Sequence, residues 1–203
     1  TKALALQFLP DANRDTTAAL TYAVVDPVVQ TLNSAASTVT IPLLAVNDLP
    51  VLGATSGTYT YVENATALSV LPNLTVADVD NTSLKLATIT LTNASAQDVI
   101  SFGILPAGIV RLSDSLVGGV LTVQLSAASG ASVASFQTAL RQFTYSNTSE
   151  NPNTTARVLS VTVDDDTSAV GVSNIATRTI SITSVNDAPT ITPLTEPLNA
   201  TEQ

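Results

Sequence analysis

Histidine, cysteine, methionine and tryptophan are all missing from this 203-residue chain. Without cysteine there is no disulfide, no thiolate nucleophile and no thiolate-bound zinc. Without histidine the commonest general base and the commonest metal-binding nitrogen are gone. Aromatics amount to 4%, four Tyr and four Phe, too few for a sugar-stacking platform, so the core must be built from Val, Leu, Ile and Ala. No serine or threonine can have a histidine partner, and no phosphate-cradling glycine loop or nucleophile elbow is present. A carboxylate pair could in principle hydrolyse glycosides, but nothing marks an acid and a base apart. The expectation is a non-enzyme. No run approaches the ~18 apolar residues of a membrane span, and Thr1–Pro10 lacks the basic start and apolar stretch of a signal peptide, so no membrane insertion is expected in this segment. Thr1 is not an initiator residue, and a processed or excised chain is expected.

Charge is scarce as well. Charged residues make up 11% of the chain, against roughly a quarter to a third on an ordinary soluble surface. The 51 Ser and Thr residues must carry much of the hydration. The net charge of −9, from 16 acids and 7 bases, repels phosphate backbones and anionic lipid, so no nucleic-acid partner is expected. It suits a hard cation.

The most informative positive feature is repetition. Ile41-Pro-Leu-Leu-Ala-Val-Asn-Asp-Leu-Pro50 recurs as Ile180-Ser-Ile-Thr-Ser-Val-Asn-Asp-Ala-Pro189, an offset of 139 residues. The same offset pairs Leu20 with Leu159, Val24 with Val163, Asp26 with Asp165, Ser34 with Ser173 and Glu63 with Glu202. Residues 1–49 therefore read as the C-terminal part of one repeat, 50–188 as a complete repeat and 189–203 as the start of the next, implying a longer parent array. Each seam carries Asn-Asp-x-Pro, and proline fixes φ and keeps its predecessor extended.

Within the repeat, runs of Val, Thr, Ile and Leu alternate at period two, predicting strands near 58–62, 84–93, 98–103, 108–113, 119–126, 141–146, 157–165 and 174–185. The exception is Ser132–Gln142, where Val133, Phe136, Leu140 and Phe143 fall at helical spacing behind a capping serine. The pattern predicts an all-β sandwich with one short helix. At about 140 residues it exceeds the ~100 of a minimal immunoglobulin-type domain, and residues 98–142 read as an extra hairpin and helix.

Tyr61-Val-Glu63-Asn, Asp78-Val-Asp80-Asn81, Phe143-Thr-Tyr145-Ser-Asn147-Thr-Ser-Glu-Asn151-Pro152, Arg157-Val-Leu-Ser-Val-Thr-Val-Asp164 followed by Ser173-Asn174, and Val185-Asn-Asp-Ala-Pro189 together resemble the cadherin-like and proteoglycan-type tandem repeats of large extracellular adhesins and matrix proteins. The resemblance covers nearly all of 50–189. It implies tandem immunoglobulin-like (cadherin-like) β-sandwich repeats at a cell surface, with Ca²⁺ at the junctions. Carried over residue by residue, it implies Asn47, Asp48, Asp78 and Asp80, with Asp26 as an addition, at the first junction. It implies Glu63, Asn186 and Asp187, with Asp165 as an addition, at the second, and Glu202 at a third. Ca²⁺ takes six to eight oxygens. The chain departs from the family linker at Ala45 and Ser184, where an acid is expected, and at Leu49 and Ala188, where an Asn is expected; fewer ligands imply weaker binding. Plainer readings stand beside these: Asp78–Asn81 as a solvated turn, Asp164–Asp166 as a hydrated loop, and Glu63 as an edge charge that discourages aggregation.

Seven Asn-x-Ser/Thr motifs occur, at Asn64, Asn73, Asn81, Asn93, Asn147, Asn153 and Asn199, against about three expected by chance. They would carry N-linked glycans in a eukaryotic source. Three functions compete: a stiff structural or adhesive spacer whose partners are neighbouring repeats, the protomer of an extracellular glycoprotein filament built from like subunits, and a module binding a surface glycan or protein ligand.

Overall fold

The computed structural model describes residues 7–10, 16–29, 34–44, 46–54, 56–165 and 171–191. Glu202, Asn199, Asp166 and most of 189–203 lie outside the described residues. The longest strands follow directly from alternation. In β7 (Ser83–Thr92), Leu84, Ala87, Ile89 and Leu91 point inward. In β13 (Arg157–Asp164) the buried set is Arg157, Leu159, Val161 and Val163, and in β14 (Ala176–Thr183) it is Ala176, Arg178, Ile180 and Ile182. β11 (Val120–Ser132) buries Leu121, Val123, Leu125 and Ala127.

These strands form one layer in the order β10-β11-β7-β13-β14-β4, with β4 spanning Thr58–Val62 and β10 Ser115–Val117; β9 (Val110–Arg111) also pairs with β11. Val117 and Val120 pair across Gly118 and Gly119, whose φ values of 58° and 76° are those a two-residue hairpin turn of type I′ requires. Opposite lie β5 (Leu68–Ser69), β12 (Thr144–Asn147) and β8 (Asp98–Ser101) as one small sheet, and β3 (Val51–Gly53) with β6 (Thr75–Ala77) as another. The layers share one apolar cluster, in which the Tyr61 and Tyr145 rings meet edge to face at 5.3 Å. Among the described residues the architecture is an all-β sandwich with one short helix. The outer face of the large sheet aligns Thr122, Thr90, Ser160 and Thr177 across four strands. Hydroxyls there do the hydrating that charge does elsewhere.

Helix α1 (Val133–Arg141) sits where the spacing placed it, with Phe136, Leu140 and Phe143 fully buried. Ser132 Oγ accepts the Ser135 N–H at 3.1 Å. Ser132→Ala should therefore cost about 1 kcal/mol in urea unfolding; no change would show that the cap is dispensable. Four short strands, β3, β5, β6 and β10, were not foreseen. The strand expected at 141–146 starts only at Thr144, because the helix holds Arg141.

One polar knot is buried between the layers. Arg157 Nε donates to Asp98 Oδ2 at 3.1 Å, with both side chains essentially inaccessible. Asp98 also accepts the Tyr145 hydroxyl at 2.5 Å, Asn147 Nδ2 at 2.7 Å and the Ser95 N–H at 2.7 Å. Burial alone would push the Asp98 carboxyl up; the bonds from Tyr145, Ser95, Asn147 and Arg157 outweigh it and hold it below the usual range. Tyr145 is pushed up by burial and by the carboxylate it faces.

Ahead of the sandwich, β1 (Ala18–Tyr22) and β2 (Ser37–Ile41) form a hairpin of their own. Its register runs from Ala18↔Ile41 to Tyr22↔Ser37; that of β13–β14 runs from Arg157↔Ile180 to Val161↔Ala176. Each pair is displaced by the 139 residues seen in the sequence. The clasp beyond the strands is copied as well. Ser34 N–H donates to Val24 O at 2.8 Å, as Ser173 N–H does to Val163 O at 2.9 Å. The Val24 N–H bonds Ser34 Oγ at 2.9 Å, as the Val163 N–H bonds Ser173 Oγ at 3.0 Å.

Candidate functional site: two acidic poles

Strand directions decide which acids meet. β4 and β14 run parallel, with Val62 opposite Thr183, so the residues that follow them emerge side by side. The Glu63 N–H donates to Thr183 O at 2.9 Å. The Glu63 side chain folds inward, 4% exposed, where Oε2 accepts the Val185 N–H at 2.7 Å and Oε1 has no partner among the described residues. Glu150, on the loop between β12 and β13, reaches the same place. One carboxylate oxygen each from Glu63, Glu150 and Asp187 lie within 4.8 Å of one another. Asn64 Nδ2 donates to Glu150 at 3.2 Å, and Asn186 Nδ2 to the Asp187 carbonyl at 3.2 Å. Glu150, Asn151 and Ser184–Asp187 line an adjoining concavity of about 530 Å³. Three carboxylates this close repel one another unless a proton or cation intervenes.

The opposite pole is built by antiparallel pairs. Val51 lies across from Ala77, so the seam before β3 and the Asp78–Asn81 turn after β6 leave together. Asp165, just past the end of β13, joins them. Asp165 Oδ2 accepts Asn47 Nδ2 at 2.9 Å and Asn81 Nδ2 at 3.0 Å, while Asn81 also donates to Asn47 Oδ1 at 2.7 Å. The Asp48 N–H donates to Asp80 Oδ2 at 3.1 Å. Asp78 Oδ1 accepts the N–H groups of Asp80 and Asn81 at 3.2 and 2.9 Å. Two buried oxygens here have no partner among the described residues, Asp78 Oδ2 and Asp165 Oδ1. Burial, aided by the Asp80 carboxylate, pushes the Asp78 carboxyl up. The poles are separated by the eight residues of β13, about 25 Å of strand.

Two expected placements change. Asp165, assigned to the second junction, sits at the first pole with Asn47. β13 and β14 are antiparallel, so the residue after β13 must lie at the end opposite the seam that follows β14. Asp26, assigned to the first junction, lies at the Tyr22–Ser37 end of its hairpin, away from Ile41 where the seam departs. Its Oδ1 accepts the Val28 and Val29 N–H groups at 2.7 and 3.0 Å, bonds that hold its carboxyl below the usual range. Glu150 was missed. Its signal was its position beside Asn151-Pro152, a turn between two expected strands at the Glu63 end. Asn47, Asp48, Asp78 and Asp80 do gather at one pole, and Glu63, Asn186 and Asp187 at the other.

Of the sequon asparagines, Asn64, Asn73, Asn93 and Asn153 are exposed, Asn81 is half-buried in the first pole, and Asn147 is buried on Asp98. Among the described residues no helix is long and apolar enough to cross a membrane. No family model matches the chain, and no curated protein matches it significantly.

Proposed function

We propose that this chain is a non-enzymatic, extracellular stretch of a tandem array of cadherin-like, immunoglobulin-like sandwich units, working as a stiff structural or adhesive spacer with Ca²⁺ at its junctions. The observation that carries the reading is the copied hairpin. A second stretch of chain, 139 residues earlier, reproduces the strand register and the serine clasp of β13–β14. It supports dividing the chain into 1–49, 50–188 and 189–203. Asn186 and Asp187 are the seam copies of Asn47 and Asp48, so each junction would join the Glu63-type pole of one unit to the Asp165-type pole of the next. A cation there would draw on Glu63, Glu150, Asn186 and Asp187 from one side, and on copies of Asp78, Asp80 and Asp165 from the other. The donor set is all oxygen, as Ca²⁺ prefers, and the orphaned oxygens of Glu63, Asp78 and Asp165 are the ones such an ion would satisfy.

Small-angle scattering of the chain in calcium and in EDTA tests this. Calcium should lengthen and narrow the distance distribution, with binding heat in titration calorimetry. Superimposable curves with no heat would remove the calcium stiffening.

A filament protomer is the second reading, supported by the face of β1–β2. Leu20, Tyr22 and Val39 are exposed there, at positions whose copies Leu159, Val161 and Arg178 are buried. A like subunit covering that face would give mass growing with concentration in light scattering; a monomer throughout would exclude it.

A further inference from the structure

We propose that Asn73 and Asn153 are glycan acceptors of this chain, and that Asn81 and Asn147, which carry the same motif, stay bare. The fold divides the motifs physically. Asn147 is 6% exposed. Its Nδ2 donates to Asp98, its Oδ1 accepts the Ser149 N–H at 2.9 Å, and its carbonyl accepts the Tyr61 hydroxyl at 3.2 Å. A sugar on that nitrogen would have to occupy the space of the Asp98–Arg157 knot. The Asn81 amide is bonded to both Asn47 and Asp165, inside the first pole.

Asn153 is the reverse case. It is exposed, its Oδ1 accepts the Thr155 N–H at 2.8 Å, and its Nδ2 has no bond among the described residues. That turn sets the hydroxyl residue of the motif beside the acceptor amide. The loop is pinned from beneath, since the buried Arg157 guanidinium donates to the carbonyls of Asn153 and Thr155 at 2.8 and 2.5 Å. The acceptor is thus presented on a fixed turn. Asn73 is likewise exposed, on the turn in which the Leu74 N–H bonds Leu71 O at 3.2 Å, with no bond to its side chain among the described residues. Thr75 and Thr155 complete the motifs of Asn73 and Asn153, and Ser83 and Ser149 those of Asn81 and Asn147. Bulky, solubilising glycans on an otherwise charge-poor surface would add hydration where few charges do.

The chemistry is transfer from a lipid-linked glycosyl pyrophosphate. Asparagine Nδ2 bonds to the anomeric carbon, the bond from that carbon to the pyrophosphate oxygen breaks, and the nitrogen loses one proton to the departing lipid pyrophosphate. The test is secretion of the full chain from a eukaryotic host, with glycans counted by intact mass and sites read by peptide mapping. Thr75→Ala and Thr155→Ala should each remove one glycan from the folded, secreted protein. Ser149→Ala and Ser83→Ala, which delete the motif but leave the Asn147 and Asn81 side chains in place, should remove none. A folded chain bare at Asn153 or Asn73, or one that loses a glycan on Ser149→Ala or Ser83→Ala, overturns the proposal.

Discussion

Asp98→Ala is expected to lower the unfolding free energy by about 3–5 kcal/mol, because it leaves the Arg157 charge buried and unpaired. That is a large share of the ~5–15 kcal/mol that holds a typical domain together. The loss should exceed that of an ordinary surface ion pair severalfold, since the same substitution also strands the Tyr145 hydroxyl and the Asn147 amide. Arg111–Asp114, a half-exposed pair at 2.5 Å, is the internal comparison and should cost no more than about 1 kcal/mol. The double change Asp98→Leu with Arg157→Leu should recover part of the loss, because replacing both members of a buried pair by apolar groups is often near neutral. Urea unfolding of the variants decides it: an Asp98→Ala loss as small as that of Asp114→Ala would mean that the knot is not holding the layers. The pH dependence has a definite sign. The Asp98 carboxyl is held below its ordinary value in the folded protein, so its contribution is present above about pH 4 and is lost as pH falls through the lowered folded value. Asp98→Asn should flatten that acid limb.

Whatever repeats over several residues is legible in the sequence. Alternation in Ser83–Thr92 and Arg157–Asp164 marks a half-buried strand because every second side chain must be apolar, and helical spacing from Val133 to Phe143 marks the one segment where period two fails. β5 and β9, two residues each, and β3, β6 and β10, three each, are too short to show a period; β9 lay inside a longer expected strand and the others went unseen. Tertiary pairing makes those short strands, since Leu68–Ser69 is a strand only because β12 lies beside it. The acidic poles were half legible. The seam copies at Asn47-Asp48 and Asn186-Asp187 could be found by repetition, and the Asp78–Asn81 turn by its composition. Assigning Asp165 and Asp26 to the correct ends needed strand direction. Two consecutive strands in one hairpin are antiparallel and deliver their C-termini to opposite ends, and motif spacing alone carries no strand direction. Glu150 belongs to no seam, and only the loop between β12 and β13 brings it to Glu63.

Glu63→Gln separates a binding role from a structural one, because the two roles predict changes of opposite sign. If Glu63 serves a cation, its charge is a liability without one: it sits within 4.8 Å of the Glu150 and Asp187 carboxylates with one buried oxygen unpartnered. The calcium-free variant should then melt higher than the parent at pH 7, and the rise in melting temperature on adding calcium should shrink. A single site held at a thousand times its Kd contributes about 4 kcal/mol, so the loss is measurable by calorimetry. If Glu63 serves only to hold the Val185 N–H, the variant should melt lower and respond to calcium as before. The same logic applies at the other pole through Asp78. Its folded pKa is raised, so the stability attached to its neutral form is complete below about pH 4 and lost as pH rises through the folded value. Asp78→Asn should therefore stabilise the calcium-free protein at pH 7 while leaving its stability at pH 3 nearly unchanged. It should also remove the calcium response of that pole alone. With the poles about 25 Å apart, beyond the ~8 Å screening length at physiological salt, the effects of Glu63→Gln and Asp78→Asn should add. Strong non-additivity would mean that calcium acts at one shared site, not at two junctions.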